Sequence, residues 1–126
     1  MNYVTTSGPL FDGRAAIILK EATDAIGQQV AEEGLDLIQS DLARVIRTHP
    51  TGRYIPSVKV VRRGSGSFTV GTDIVYGAWI EGTGSRNATT RFKGYSTFRR
   101  QRQVLEARAG VIGNRVIKPY VGRLNG

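Results

Sequence analysis

The sequence predicts an α+β domain in which a long N-terminal helix and a C-terminal helix pack with a small antiparallel β-sheet. Two observations indicate this class. Apolar residues recur with helical spacing near both ends of the chain, and they alternate with period two in the middle. The length, 126 residues, suits one domain over residues 1–126. Residues 1–10 are polar, and we expect them to form an extended arm.

The first helix is predicted after Asp12, which is a fair N-cap. Its apolar residues are Ile18, Ala22, Ile26, Val30, Leu35, Ile38, Leu42, Val45 and Ile46. An unbroken helix over 13–47 would be about 50 Å long, whereas a compact domain of this size has a radius of gyration of about 14 Å. We favour a continuous or kinked helix whose excess apolar surface is covered by a neighbouring subunit. The alternative is two helices that break near Gly27 or Gly34.

A β-hairpin is predicted next. Pro50 and Pro56 exclude a helix over 48–56. The runs SVKVVRR (57–63) and SFTVGTDIV (67–75) then alternate with period two on either side of a flexible GSGS turn. The short apolar run VYGAWIEG (75–82) fits either a third strand or one helical turn, because periodicity does not distinguish them. A long loop follows.

The last helix is predicted to begin around Thr97. It carries an apolar stripe made of Leu105, Ala109, Ile112, Val116 and Tyr120. Gly110 and Gly113 each cost about 1 kcal/mol relative to Ala inside a helix, so we expect either a second helix that approaches closely or a bend. Pro119 is expected to end or kink the helix, and residues 120–126 are expected to be a tail.

The composition excludes several kinds of active site. Without cysteine, the chain has no disulfide, thiol nucleophile or Cys-ligated zinc. The one histidine, His49, lies in a turn before Pro50. The acids Glu32, Glu33 and Asp36 have no histidine at metal-ligand spacing and are typical of a solvated helix face. The glycines of GTG (82–84) lack the third glycine of a dinucleotide site. We therefore predict no enzyme activity, no metal and no cofactor.

Positive charge is concentrated near the C-terminus. The net charge is −3 over residues 1–50, +2 over 51–84 and +9 over 85–126, which accounts for the total of +8. This asymmetry indicates a polyanionic partner, head-to-tail contact between copies, or a solvated basic face. No apolar run approaches the ~18 residues of a membrane span. We expect a soluble protein made in a cytoplasm, with no membrane partner.

The segment 81–103 combines basic and aromatic residues. Its cations are Arg86, Arg91, Lys93, Arg99, Arg100 and Arg102, and its rings are Phe92, Tyr95 and Phe98. Cations that follow phosphates and rings that stack on bases are typical of single-strand nucleic-acid binding. Together with Trp79, the same residues fit a protein interface in which aromatic anchors are surrounded by a charged rim. Composition leaves both interpretations open.

A family resemblance favours the second interpretation. The run VYGAWIEGTGSRNATTRFKGYSTFRRQRQVLEARA (75–109), together with PLFDGRA (9–15) and HPTGRY (49–54), resembles small neck proteins of long-tailed bacteriophages. These are the tail-completion or head–tail connector proteins, and the likeness is to their actinobacterial-phage branch. It implies a structural virion protein that forms a ring, most simply six-fold, between the DNA-filled head and the tail. The alternative is a basic DNA-binding accessory module.

The resemblance also implies partners and interface residues. The expected partners are further copies of the chain, a portal-side adaptor or stopper ring, a tail terminator or tail tube protein, and genomic DNA bound non-specifically in the channel. Glu81 and Asn87 are expected to fix the loop, and Gly82, Gly84 and Gly94 to supply unusual backbone angles. The expected interface residues are Trp79, Glu81, Arg86, Asn87, Arg91, Phe92, Lys93, Tyr95, Phe98, Arg99 and Arg100. Contacts to DNA or to an acidic partner are expected from Arg86, Arg91, Lys93, Arg99, Arg100 and Arg102.

Overall fold

The computed structural model describes residues 13–46, 53–74 and 76–125. The elements in chain order are α1 (Arg14–Val45), α2 (Tyr54–Ser57), β1 (Lys59–Gly64), β2 (Ser67–Gly71), α3 (Gly77–Glu81), a 3₁₀ turn (Ser85–Ala88) and α4 (Thr97–Asn125). This architecture confirms the predicted α+β class. The proposed extended arm, the cap at Asp12 and the turn containing His49 lie outside the described residues.

Helix α1 is continuous over 32 residues and about 48 Å long, as we favoured from the sequence. Its two internal glycines allow neighbouring elements to approach closely. A Cβ at Gly27 would lie 2.8 Å from the carbonyl oxygen of Gly66 in the hairpin turn. A Cβ at Gly34 would lie 2.9 Å from Cδ2 of Leu105 on α4. The helix therefore carries glycine where the hairpin and α4 pack on it.

Helix α4 runs antiparallel to α1 and covers one face of it. Its early residue Arg100 pairs with Asp41 near the end of α1, and its late residue Arg123 pairs with Glu21 near the start. Since the two helices bury each other, the apolar stripe of α1 is covered largely within the same chain. Ile17 is the most exposed large apolar residue of α1, with 60% of its surface accessible.

Residues 120–125, which we predicted as a tail, instead form the last turns of α4. The helix continues through Pro119, although proline removes one backbone donor and its ring crowds the carbonyl oxygen of Arg115. The ion pair between Arg123 and Glu21, 2.6 Å long, ties these turns to α1, and the Arg123 guanidinium also lies 5.5 Å from the ring centre of Tyr120. At Gly113 a Cβ would lie 3.8 Å from Ile26 of α1, an ordinary van der Waals distance, and at Gly110 it would meet no atom within 4 Å. The expected close approach of a second helix therefore explains neither glycine.

The hairpin is antiparallel, with Val60 opposite Val70, and an irregularity between Arg62 and Gly64 precedes its turn. It packs on α1 through Phe68 and Val70. The first turns of α4 join it in a shared core. The buried core residues are Ile38, Leu42, Tyr54 and Val58, with Val70 and Phe98 packed against them.

The run 75–82, for which a strand and a helical turn were both open, contains the short helix α3. It ends at Gly82, where the basic loop begins. We use this name for residues 82–96, which connect α3 to α4. No helix in residues 13–46, 53–74 and 76–125 is long and apolar enough to cross a membrane.

Candidate interaction site

Three half-buried aromatic rings hold the basic loop against α3. The rings of Trp79 and Phe92 have centres 5.0 Å apart, and those of Phe92 and Tyr95 are 5.1 Å apart in an edge-to-face arrangement. Such pairs contribute about 0.5–1.5 kcal/mol each beyond their buried area. The fourth predicted anchor, Phe98, packs against the core instead. The rings are thus engaged within the chain and stiffen the loop.

The buried side chain of Asn87 lies at the centre of the loop. Its Oδ1 accepts a hydrogen bond from the Gly84 amide at 2.9 Å. Its Nδ2 donates to the carbonyl oxygens of Trp79, at 3.0 Å, and Phe92, at 3.1 Å. One amide therefore joins α3, the 3₁₀ turn and the distal half of the loop. Because Asn87 is only 3% exposed, its side chain shapes the site from within the loop.

Glu81 connects the beginning of the loop to its end. Its carboxylate accepts hydrogen bonds from the backbone amides of Phe98, at 2.9 Å, and Arg99, at 3.1 Å. These amides belong to the first turn of α4, which leaves its donors without partners inside the helix and favours negative charge. The backbone adds bonds from Tyr95 to Ile80 and from Ser96 to Glu81. The two ends of the loop are therefore clamped together.

Gly82 and Gly94 make this clamp possible. Both have positive φ, +103° and +87°, in the region that favours glycine. A Cβ at Gly82 would lie 2.1 Å from the Lys93 carbonyl oxygen, and a Cβ at Gly94 would lie 2.2 Å from Cα of Gly82. Gly84, for which we also expected unusual angles, has an ordinary φ of −76°. Two of the three glycines therefore have the predicted role.

Two of the predicted contact cations act inside the molecule. Lys93 Nζ donates to the carbonyl oxygens of Asn87, at 2.9 Å, and Ala88, at 3.2 Å, at the end of the 3₁₀ turn. Arg100 binds Asp41 through both terminal nitrogens, at 3.1 and 2.7 Å, and also donates to the Tyr95 carbonyl oxygen. These side chains stabilise the loop and its attachment to α1.

Asp41 is a buried residue that anchors this scaffold, and the sequence prediction missed it. Its side chain is 4% exposed, and it also accepts a hydrogen bond from Thr97 Oγ1 at 2.8 Å. Burial disfavours the ionised carboxylate, but hydrogen bonds from Arg100, Arg44 and Thr97 outweigh it and lower the pKa of Asp41 from 3.8 to about 2. The sequence did indicate this role, because Asp41 is an acidic residue that lies between Ile38 and Leu42 on the apolar stripe of α1.

The remaining predicted cations face outward. Arg86, Arg91 and Arg99 are exposed, and within the part of the chain that the structure describes no carboxylate pairs with them. Arg102 forms an exposed pair with Glu106 at 3.1 Å. Arg86 also borders a pocket of about 530 Å³ whose other lining residues include Tyr76 and Trp79. Tyr76, absent from our predicted interface, extends this surface.

The acidic and basic parts of the sequence meet within one chain. Besides the pairs of Asp41 and Glu21 described above, Glu33 of α1 binds Arg115 of α4 at 2.8 Å. The charge complementarity that we considered for head-to-tail contact therefore operates between α1 and α4 of the same molecule. Arg86, Arg91 and Arg99, which pair with no carboxylate among the described residues, project from the basic loop and the start of α4.

These side chains form a rigid, cationic and aromatic surface. Among residues 13–46, 53–74 and 76–125, no cluster of three or more His, Cys, Asp or Glu side chains could hold a metal ion. No protein-family model, curated protein or solved structure matches the chain. A proposal for its function therefore relies on the geometry of this surface and on the sequence resemblance.

Proposed function

We propose that this protein is a structural component of a bacteriophage virion that forms a ring in the neck and joins the DNA-filled head to the tail. The observation that carries the proposal is the clamped basic loop. Its internal contacts fix its shape, while its Arg86 and Arg91 are exposed. Tyr76 and Trp79 line a pocket beside Arg86. Rigid Trp, Tyr and Arg side chains are the composition of protein–protein hot spots, and little entropy is lost when such a surface binds.

The proposed partners follow from the resemblance. The ring consists of copies of this chain, most simply six, and it contacts a portal-side adaptor or stopper ring on one side and a tail terminator or tail tube protein on the other. Closed rings use head-to-tail contacts between two different surfaces. The basic loop is one candidate surface. Genomic DNA would pass through the channel and contact exposed arginines non-specifically. The protein would thus act in the virion after synthesis in the host cytoplasm.

The double variant Arg86→Ala/Arg91→Ala tests this role. Neither side chain has a carboxylate partner among the described residues, so the variant should fold normally by circular dichroism and melting. If each arginine contributes about 2 kcal/mol at an interface, their joint loss weakens association about a thousandfold. We expect a phage that carries the variant to accumulate separate heads and tails in electron micrographs.

The matched control is Arg108→Ala/Lys118→Ala, which removes the same charge from exposed positions on α4. Particles of the control should remain joined and infectious. Normal infectivity of the Arg86/Arg91 variant would contradict the assignment of the loop. Class averages of purified neck complexes should show this chain as a ring, and its absence from the particle would contradict the whole proposal.

A second candidate function is a basic DNA-binding accessory module. The observation that favours it is a series of exposed cations on the loop and α4, comprising Arg86, Arg91, Arg99, Arg108 and Lys118. Five phosphate contacts would give affinity a slope of about −4 to −5 against the logarithm of salt concentration. Gel retardation across a salt series measures this slope. Tight binding near 0.15 M salt without ring formation would favour this module over the neck protein.

A further inference from the structure

A second surface lies apart from the basic loop. It is a groove of about 860 Å³ between β2 and the first turns of α4, with α1 as its floor. The floor includes Val30, Ala31 and Gly34, and the wall formed by α4 includes Phe98 and Leu105. Because Gly34 has no side chain, Leu105 packs directly onto the backbone of α1. The groove is lined mainly by apolar residues.

Strand β2 borders the groove with its free edge. Phe68, Thr69 and Val70 all line the groove, although successive side chains of a strand point to opposite faces. Phe68 and Val70 face α1, whereas Thr69 is exposed. The lining by three consecutive residues indicates that the edge of the strand borders the groove.

This edge has no strand partner. The sheet has two strands, and within residues 13–46, 53–74 and 76–125 the backbone of β2 bonds to β1 alone. Half of the amide and carbonyl groups of such a strand point away from its neighbour, and they form a template for another extended chain.

The charged residues at the rim of the groove favour a partner segment of opposite charge. Arg99 and Arg102 are the charged residues that line the groove, and in the described part of the protein no carboxylate lines it. Arg102 pairs with Glu106, but both side chains are largely exposed, 80% and 64%. An exposed pair of this kind contributes only about 0.3–0.5 kcal/mol, so an incoming carboxylate can replace it. The rim therefore attracts an acidic partner.

We propose that this groove binds an extended acidic segment of a partner protein, which adds a strand to the free edge of β2. Alternate apolar side chains of the segment lie on the α1 floor, and its carboxylates lie toward Arg99 and Arg102. The inference does not depend on the neck proposal, because the groove, the strand edge and the rim belong to the chain itself.

A labelled peptide EVEVEVE, mixed with the full chain at 0.15 M salt, tests the groove by fluorescence anisotropy. We expect saturable binding and, in hydrogen exchange, added protection of amides in Ser67–Gly71. The variant Arg99→Glu/Arg102→Glu should weaken binding at least about tenfold, because two attractions become repulsions. The matched variant Arg108→Glu/Lys118→Glu makes the same charge change on α4 outside the groove and should bind normally. A peptide EVEPEVE should bind poorly, because proline removes a backbone donor.

Several results would overturn the proposal. These are absence of saturable binding, equal weakening by both double variants, and protection of residues 82–96 in place of β2. Displacement of the peptide by oligo-dT would reveal a general anion surface. If the amides of β2 become protected from hydrogen exchange in the absence of peptide, as the protein concentration rises, then a second copy of the chain occupies the groove. If the Arg99/Arg102 variant does not fold, equal binding of the two peptides to the native protein would itself refute strand addition.

Discussion

Replacing Asp41 with Asn tests whether the buried carboxylate fastens the basic loop to α1. The lowered pKa, about 2 against an ordinary value of 3.8, means that the ionised form is stabilised in the folded state. At 1.36 kcal/mol per pKa unit, this shift contributes about 2 kcal/mol to the free energy of unfolding at pH 7. Asn has nearly the same shape as Asp but no charge, so Asp41→Asn should lower the free energy of unfolding at pH 7 by about 2 kcal/mol.

The contribution also has a defined pH dependence. Because the folded pKa lies below the unfolded one, the stabilisation is complete above about pH 4 and disappears as the pH falls through 2. About 1 kcal/mol should remain at pH 3. Urea denaturation of both proteins at pH 7, 4, 3 and 2 measures the difference, which should shrink toward zero. The control Asp36→Asn, at an exposed position on α1, should change little at any pH. A loss below about 0.5 kcal/mol at pH 7, or a difference that does not depend on pH, would refute the reasoning.

Three further substitutions test the loop and α4 by urea denaturation. Asn87→Ala removes three hydrogen bonds and leaves the Trp79 carbonyl oxygen without a partner among the described residues, whereas the Gly84 amide keeps Ala78 and the Phe92 carbonyl keeps Thr90. The variant should cost about 2–3 kcal/mol, and a neutral result would mean that water replaces the lost side chain. Gly94→Ala forces a Cβ against Gly82 and should lower the free energy of unfolding by roughly 2 kcal/mol or more. Unchanged stability would contradict the close contact between the backbones of Gly82 and Gly94. At Gly110 of α4 a Cβ would meet no atom within 4 Å, so Gly110→Ala should raise the free energy of unfolding by up to about 1 kcal/mol. A decrease would mean that another group lies against this position.

Local patterns predicted the main elements well because each depends on residues that are close in sequence. The alternation around GSGS led to the hairpin, and the apolar stripe that begins near Thr97 led to α4. The continuity of α1 was harder, since Gly27 and Gly34 resemble helix breakers until the packed hairpin and Leu105 are seen. The residues after Pro119 were wrongly predicted as a tail for a similar reason, because contacts with α1 offset the hydrogen bond that proline removes.

The candidate site was predicted in composition but not in detail. The sequence identified the aromatic anchors and assigned Glu81 and Asn87 to loop structure, and both side chains do hold the loop. The sequence could not distinguish the cations that face solvent from those that bond to groups within the chain. Arg100 and Arg99 are neighbours in sequence, yet one meets an acid 59 positions away and the other faces solvent. Such pairings arise only from the way α4 lies on α1.

The antiparallel pairing of α1 and α4 has a consequence for synthesis. Arg123 meets Glu21 across 102 positions of sequence, so the ribosome makes almost the whole described chain before this contact can form. Until then the apolar stripe of α1, including Ile18, Ala22 and Ile38, has no cover from α4. Folding that depends on such distant contacts is slow, and exposed apolar surface invites aggregation. Until α4 has emerged, the nascent chain therefore exposes apolar surface to which chaperones can bind.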